Sequence, residues 1–206
     1  MANAAARYNR ARFLDSITRM AALPPESGRE IAFAGRSNAG KSSALNAITG
    51  RRALARTSKT PGRTRMINLF DLGDDCRFAD LPGYGYARVA REMREQWHEL
   101  LTRYLLERRC LVGTVLVADS RRGLTDLDRR LIGLVAESGH ELHVLLTKAD
   151  KLGRNAGMKA LEQVRREVEE AGVTATLQLF SATARTGIED VHGVLDEWLE
   201  APTEEA

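Results

Sequence analysis

Residues 35 to 42 read Gly-Arg-Ser-Asn-Ala-Gly-Lys-Ser, which fits the spacing G-x-x-x-x-G-K-[ST]. Each fixed position has a task in handling phosphate. Gly35 and Gly40 let the backbone curl, so that the N–H groups along Arg36, Ser37, Asn38 and Ala39 point inward at phosphate oxygens. A helix opening at Lys41 adds the positive end of its dipole. Lys41 supplies a point charge for the β- and γ-phosphates, and the Ser42 hydroxyl is a ligand for Mg²⁺. The match gains weight from its context. An apolar run over Glu30 to Ala34 precedes it, and a helix predicted over Lys41 to Ile48, stopped by Gly50, follows.

A phosphate loop does not choose between adenine and guanine. That choice rests on Thr147-Lys148-Ala149-Asp150, at the end of an apolar run. The Asp150 carboxylate can accept hydrogen bonds from guanine N1–H and the N2 amino group together. Adenine offers neither donor, and a buried mismatch of this kind discriminates better than shape. The Lys148 stem can lie against the base plane. Phe180-Ser181-Ala182 suits a loop whose backbone N–H groups meet guanine O6.

Two further segments complete a triphosphate site. Asp80-Leu81-Pro82-Gly83 is a D-x-x-G element in which Asp80 holds Mg²⁺ through a water and the Gly83 N–H reaches the γ-phosphate. Within Pro61-Gly62-Arg63-Thr64, Thr64 is the choice for a second direct Mg²⁺ ligand, with Thr57 and Thr60 as competitors. Thr64 has the shortest tether to the strand that leads to Asp80. Lys41, Thr64 and Gly83 are therefore the expected catalytic positions, with Ser42 and Thr64 on the metal.

The elements that must carry these loops follow a regular order. An extended piece is expected within Ala11 to Met20, after ten residues expected to fray. Met66 to Leu72 and Cys76 to Ala79, joined by Gly73-Asp74-Asp75, read as an antiparallel hairpin. A long amphipathic helix is predicted over Val89 to Arg109. Strands over Val112–Ala118, Leu142–Leu146 and Ala175–Phe180 then alternate with helices over Thr125–Glu137, Met158–Glu170 and Ile188–Leu199. Such alternation implies parallel βαβ units in a sheet covered on both faces, an α/β fold.

Composition narrows the class. With 206 residues, 43% hydrophobic and 29% charged, the chain is an ordinary globular one with room for a buried core. No apolar run approaches membrane-spanning length and the N-terminus lacks a signal pattern, so a soluble, cytoplasmic protein is expected. Cys76 and Cys110 fit no metal or redox spacing and read as buried thiols. His98, His140, His143 and His192 show no ligand spacing either. The net charge is only +3, but Arg51, Arg52, Arg56, Lys59, Arg63 and Arg65 form a segment with no acidic residue. That segment suits a polyanionic partner, nucleic acid first, or is an Arg-rich solvated surface.

The ordered set GRSNAGKS, ARTSKTPGRT, DLPGYGYA, TKAD and FSA closely resembles the EngB (also called YihA or YsxC) family of bacterial GTPases, from about Arg12 to Trp198. Threonine at 147, where many GTPases have asparagine, and the PGYGYA run are typical of that family. The resemblance implies a P-loop NTPase G domain, three-layer α/β/α, with a mixed, mostly parallel six-stranded sheet. It places the G domain at 29–200, between an N-terminal extension at 1–28, partly flexible, and an acidic tail at 201–206. It also implies GTP hydrolysis to GDP, a role in large ribosomal subunit assembly, and a need in cell division and septation. Nucleotide binding carries over onto Gly35 to Ser42, onto Gly62, Arg63, Thr64, Arg65 and Met66, onto Asp80, Leu81, Pro82 and Gly83, onto Thr147, Lys148, Ala149 and Asp150, and onto Phe180, Ser181 and Ala182. A monomer is the expectation.

Many GTPases orient the attacking water with a glutamine just after D-x-x-G. Tyr84 stands there, so slow intrinsic hydrolysis is expected. The missing element could be K⁺ coordinated by Asn38, although a loop-stabilising Asn38 is the plainer reading, or it could be the large ribosomal subunit or its rRNA. An RNA-binding assembly scaffold, in which GTP only tunes affinity, is the alternative function. An ATP-dependent kinase finds no acceptor domain, and Asp150 argues against it.

Overall fold

Runs such as Ile31-Ala32-Phe33-Ala34 leave no polar face, and a strand built this way must be covered on both sides. The computed structural model describes residues 4–55, 66–85 and 91–200. Its elements are α1 (Ala4–Asn9), β1 (Arg12–Ile17), β2 (Arg29–Gly35), α2 (Lys41–Ile48), β3 (Ile67–Gly73), β4 (Cys76–Asp80), α3 (Arg91–Glu107), β5 (Leu111–Asp119), α4 (Asp126–Ser138), β6 (Glu141–Thr147), α5 (Arg154–Glu170), β7 (Thr176–Leu179) and α6 (Ile188–Glu200). Ile31 and Phe33 pack with Leu45 and Ile48 of α2 and Val191 and Leu195 of α6. Ala32 and Ala34 belong to the opposite core, with Tyr104 of α3, Leu131 of α4 and Val164 of α5. The sheet is the middle of three layers.

The strand order is β1-β3-β4-β2-β5-β6-β7. β1 and β3 pair antiparallel, as do β3 and β4; the other pairings are parallel. The sheet thus has seven strands where six were expected. The additional strand is β1, formed by the extended piece after Ala11. Only Ile17 of its six residues is buried, so no two-residue period marks it in the sequence. It forms because β3 would otherwise leave a row of peptide groups unpaired. The hairpin expected between β3 and β4 closes through Asp74 and Asp75, with φ of 53° and 54°. Two positive-φ residues are what a twisted two-residue hairpin requires.

The expectation of a frayed N-terminus is corrected for residues 4–9. They form α1, and Tyr8 is fully buried against Phe78 and His192. The Tyr8 phenol donates to Asp196 at 2.7 Å, so its polar end is satisfied. Arg7 adds ion pairs to Asp196 and Glu200 of α6. A single anchoring aromatic in a short Ala- and Arg-rich segment gives no periodicity to read. The acidic tail at 201–206 lies outside the described residues.

Helix boundaries have local causes. Thr125 and Asp128 form a reciprocal capping box that starts α4, and Gly139, at φ 72°, stops it. Gly113 of β5 lies under the Trp198 indole, where any Cβ would collide with the ring. That contact seats α6 on the sheet. Cys76 and Cys110 are buried free thiols, as the sequence suggests.

Candidate nucleotide site

The parallel strands β2, β4, β5, β6 and β7 all end at one edge of the sheet, and each is followed by a sequence motif or a loop touching one. In open α/β sheets, ligands bind beyond the carboxyl ends of the strands. This edge gathers Gly35–Ser42, Asp80–Gly83, Thr147–Asp150 and Phe180–Ala182.

The phosphate loop leaves β2 at Gly35, where a Cβ would strike the Val117 carbonyl. Asn38 and Gly40 both take positive φ, 64° and 105°, and Gly40 caps α2, so the backbone curls before the helix opens at Lys41. The Ala39 N–H closes a turn onto the Arg36 carbonyl at 3.0 Å, and the Ala44 N–H donates to Gly40 at 2.8 Å. Lys41 is buried and ion-paired with Asp80 Oδ1. The residue assigned to phosphate, at the start of α2, and the residue assigned to metal, at the end of β4, are therefore neighbours. Ser42 is half-buried on the first turn of α2.

The D-x-x-G turn lies against this loop. The Leu81 N–H donates to Phe33, and the Ser37 N–H donates to Tyr84 at 2.8 Å. A Cβ at Gly83 would sit 3.3 Å from Ser37 Cα, a tight approach that suits glycine. Pro82 is buried beside it. Tyr84 is buried, with its phenol donating to Asp128, and burial and that carboxylate push the phenol well above its ordinary pKa.

The guanine loop is tied to the phosphate loop residue by residue. The Thr147 hydroxyl lies between the carbonyls of Ala39 and Ala118 and can donate to either. The Lys148 ammonium donates to the Asn38 carbonyl at 2.6 Å. The Ala149 N–H donates to Phe180 at 3.1 Å, which joins the two base-side loops. Ser181 Oγ accepts from the Ala184 N–H and donates to Asp150 Oδ1 at 2.6 Å. That hydroxyl first, and Lys151 second, hold the Asp150 carboxyl below its ordinary pKa, so it is ionised and oriented at the loop surface.

Comparison with known proteins decides what this arrangement is. Residues 30–148 match the family model described as 50S ribosome-binding GTPase. The chain is 51% identical over 191 residues to an EngB GTP-binding protein of Coxiella burnetii, covering 93% of each chain. It is 50% identical over 198 residues to an EngB protein of Aromatoleum aromaticum, covering 96% of this chain and 92% of that one. The chain belongs to the EngB family of GTP-binding proteins. It is a GTPase, and its fold is the P-loop GTPase domain. A crystal structure of an EngB protein superposes with a TM-score of 0.68 at 24% identity, covering 84% of this chain and all of that one. Era in complex with MgGDPNP and a piece of 16S ribosomal RNA superposes with a TM-score of 0.66 at 19% identity, over 86% of this chain and 58% of that one.

Gly62, Arg63, Thr64 and Arg65, with Thr57 and Thr60, lie outside the described residues; Met66 is half-buried just before β3. Four of the six basic residues of the 51–65 segment lie there too. Arg51 donates to the Asn9 carbonyl at 3.2 Å and Arg52 is exposed. A position the motifs omit is Asp119. It ends β5 and carries hydrogen bonds from both Lys148 and Arg121. Its only sequence signal is a carboxylate at the end of an apolar run beside Arg121 and Arg122. A cavity of about 150 Å³ opens here, with Arg36, Asn38, Asp119, Arg121, Arg122 and Lys148 on its walls. Among the described residues no helix is long and apolar enough to cross a membrane, and no His, Cys, Asp and Glu cluster could form a metal cage.

Proposed function

We propose that this EngB-family GTPase acts as a nucleotide-dependent factor in assembly of the large ribosomal subunit. The observation that carries the reading is the joining of the phosphate, D-x-x-G and guanine loops at one sheet edge in a chain whose family model is a 50S ribosome-binding GTPase. Gly35 to Ser42 cradle the phosphates, and Asp150, oriented by Ser181, selects guanine. Ala149, Phe180 and Ala182 shape the base pocket around them. Leu81 and Pro82 hold Asp80 and Gly83 against the phosphate loop. Gly62 to Met66 would complete the site.

The donor set fits Mg²⁺. The Ser42 hydroxyl, half-buried on the first turn of α2, and the Asp80 carboxylate are hard oxygen donors of the kind Mg²⁺ takes. Ser42 and Thr64 would hold the ion directly and Asp80 through a water. An Mg²⁺ ion held by these residues would supply neutralising charge for the phosphates. Lys41 balances the remaining phosphate charge, and the Gly83 N–H registers the γ-phosphate. Water attacks the γ-phosphorus, the bond to the β-phosphate oxygen breaks, and GDP and phosphate leave.

The ribosomal role rests on cationic surface near the nucleotide. Arg52 is exposed at the root of the 51–65 segment, and Arg36 and Arg122 border the cavity beside the phosphate loop, with no ion-pair partner among the described residues. A polynucleotide backbone is the partner such a surface suits. A cytoplasmic, monomeric protein is part of this proposal, and the family reading adds a need in division and septation. K⁺ at Asn38 would supply beside the β- and γ-phosphates the positive charge that an arginine finger brings in other GTPases.

Titration with labelled GDP, GTP and ATP, comparing the natural protein with Asp150→Asn, tests base selection. Guanine preference weakened by the substitution is expected; equal ATP binding would overturn it. Co-sedimentation with 50S subunits across a salt series tests the ribosomal role. A shallower salt dependence after charge reversal at Arg51 and Arg52 is expected, and an unchanged slope would remove that surface from the proposal. If a variant that binds GTP but does not hydrolyse it still supports assembly at normal rates, the scaffold reading replaces this one.

A further inference from the structure

Lys148 is held by two acceptors from different parts of the fold. Its ammonium donates to the Asn38 carbonyl at 2.6 Å and to Asp119 Oδ2 at 2.8 Å. The residue itself takes a φ of 59°, a left-handed conformation that costs a lysine energy unless its surroundings hold it. Asp119 comes from the last position of β5 and is only 7% exposed. Its orientation is set in turn by Arg121. The guanidinium donates from Nε to Oδ1 at 2.9 Å and from the terminal nitrogen to Oδ2 at 2.7 Å, and the Arg121 N–H adds a third bond at 3.1 Å. A carboxylate gripped by a fork in this way has little rotational freedom.

We propose that Asp119 is a positioning residue for nucleotide binding: it pins Lys148 to the phosphate loop and so fixes the guanine loop relative to the phosphates. The proposal rests on reading residues 147–150 as the guanine loop. An ammonium on the lone carbonyl of Asn38, an exposed loop residue, exchanges readily with water. A second, charge-assisted bond from a nearly buried carboxylate holds it there. The adjacent residue is fixed independently, because the Thr147 hydroxyl contacts the Ala39 carbonyl. Consecutive residues of one loop are thus tied to consecutive residues of the other, Thr147 to Ala39 and Lys148 to Asn38. The second tie needs a side chain from outside both motifs. With both ties in place, base and phosphates meet a single rigid surface. With the second loosened, the base loop moves against the phosphate loop, and nucleotide escapes faster. GDP and GTP must suffer alike, because no part of this network depends on the γ-phosphate.

The test is a double-mutant cycle on the full chain, read as dissociation constants and off-rates for fluorescently labelled GDP and GTP in Mg²⁺ buffer. Asp119→Asn should weaken both nucleotides by roughly tenfold, the scale of a lost charged hydrogen bond. In a Lys148→Ala background the same substitution should add less than about twofold, because the group it acts through is gone. Equal losses with and without Lys148 would overturn the proposal, leaving Asp119 a purely structural residue. So would normal binding by Asp119→Asn while Lys148→Ala is impaired. Normal binding by Lys148→Ala would instead bring down the reading of the guanine loop, and the proposal with it. Should Asp119→Asn fail to fold, Asp119→Glu keeps the charge but displaces the carboxylate by one methylene. The same comparison with and without Lys148 then decides.

Discussion

The phenol of Tyr84 donates a hydrogen bond to the carboxylate of Asp128, joining the turn after β4 to the cap of α4. Asp128 is almost fully buried, and its other oxygen already serves the N–H and hydroxyl of Thr125. Removing the phenol alone would strand a buried carboxylate oxygen. Tyr84→Phe should therefore cost about 1–3 kcal/mol of stability. Urea denaturation checks this, and a loss within a few tenths of a kcal/mol would show the bond to be dispensable.

The same bond bears on chemistry. A phenol engaged by α4 is not offered to a water at the γ-phosphate. Isolated protein should hydrolyse GTP slowly, with acceleration by K⁺ or by 50S subunits. Single-turnover assays in Na⁺, in K⁺ and with added subunits separate the sources. Brisk turnover in Na⁺ alone would mean that another group orients the water, and an unchanged rate in K⁺ would remove the role proposed for Asn38.

Lys41 and Asp80 give a third expectation. Both are buried and each neutralises the other. Breaking a buried pair from one side leaves an uncompensated charge, at a cost of about 3–5 kcal/mol. In nucleotide-free protein, Lys41→Met and Asp80→Leu should each destabilise by that order, and the double substitution should recover most of the loss. Thermal unfolding without nucleotide measures all three. If the double variant merely sums the single losses, the two residues are not a coupled pair.

How far the sequence carries can be judged from individual residues. Gly35, Gly40 and Gly83 are legible because their lack of a Cβ is demanded by a curled loop or a close approach, and the βα alternation from β5 onward is legible because buried parallel strands have no polar face. Two kinds of feature escape. β1 exists because a neighbour offers a free edge, and α1 because one aromatic finds a pocket; neither leaves a period in its own residues. Asp119 escapes because its role depends on partners 29 residues away at Lys148, and an aspartate at a strand end carries no mark of its partner.

His143 gives the clearest pH dependence. It lies on β6, 1% exposed, with Nδ1 at 2.8 Å from the Thr176 hydroxyl, and burial pushes its pKa from the ordinary 6.5 down to about 4. The native protein keeps the ring neutral where the unfolded chain would already protonate it. Between these values the unfolded state binds more protons, so stability must fall as pH falls. The contribution is intact above about pH 6.5, declines through the interval, and levels off below about pH 4. The difference in pKa corresponds to about 3 kcal/mol. Carboxylates titrate in the lower part of the same range, so a comparison is needed rather than a single curve. His143→Gln keeps a polar side chain but cannot take up this proton, and its stability should decline less steeply from pH 6.5 to 4 by about that amount. Urea denaturation of both proteins at half-unit steps gives the two curves. If they run parallel, His143 is protonated in the native state at an ordinary pKa, and the packing around β6 is looser than its burial indicates.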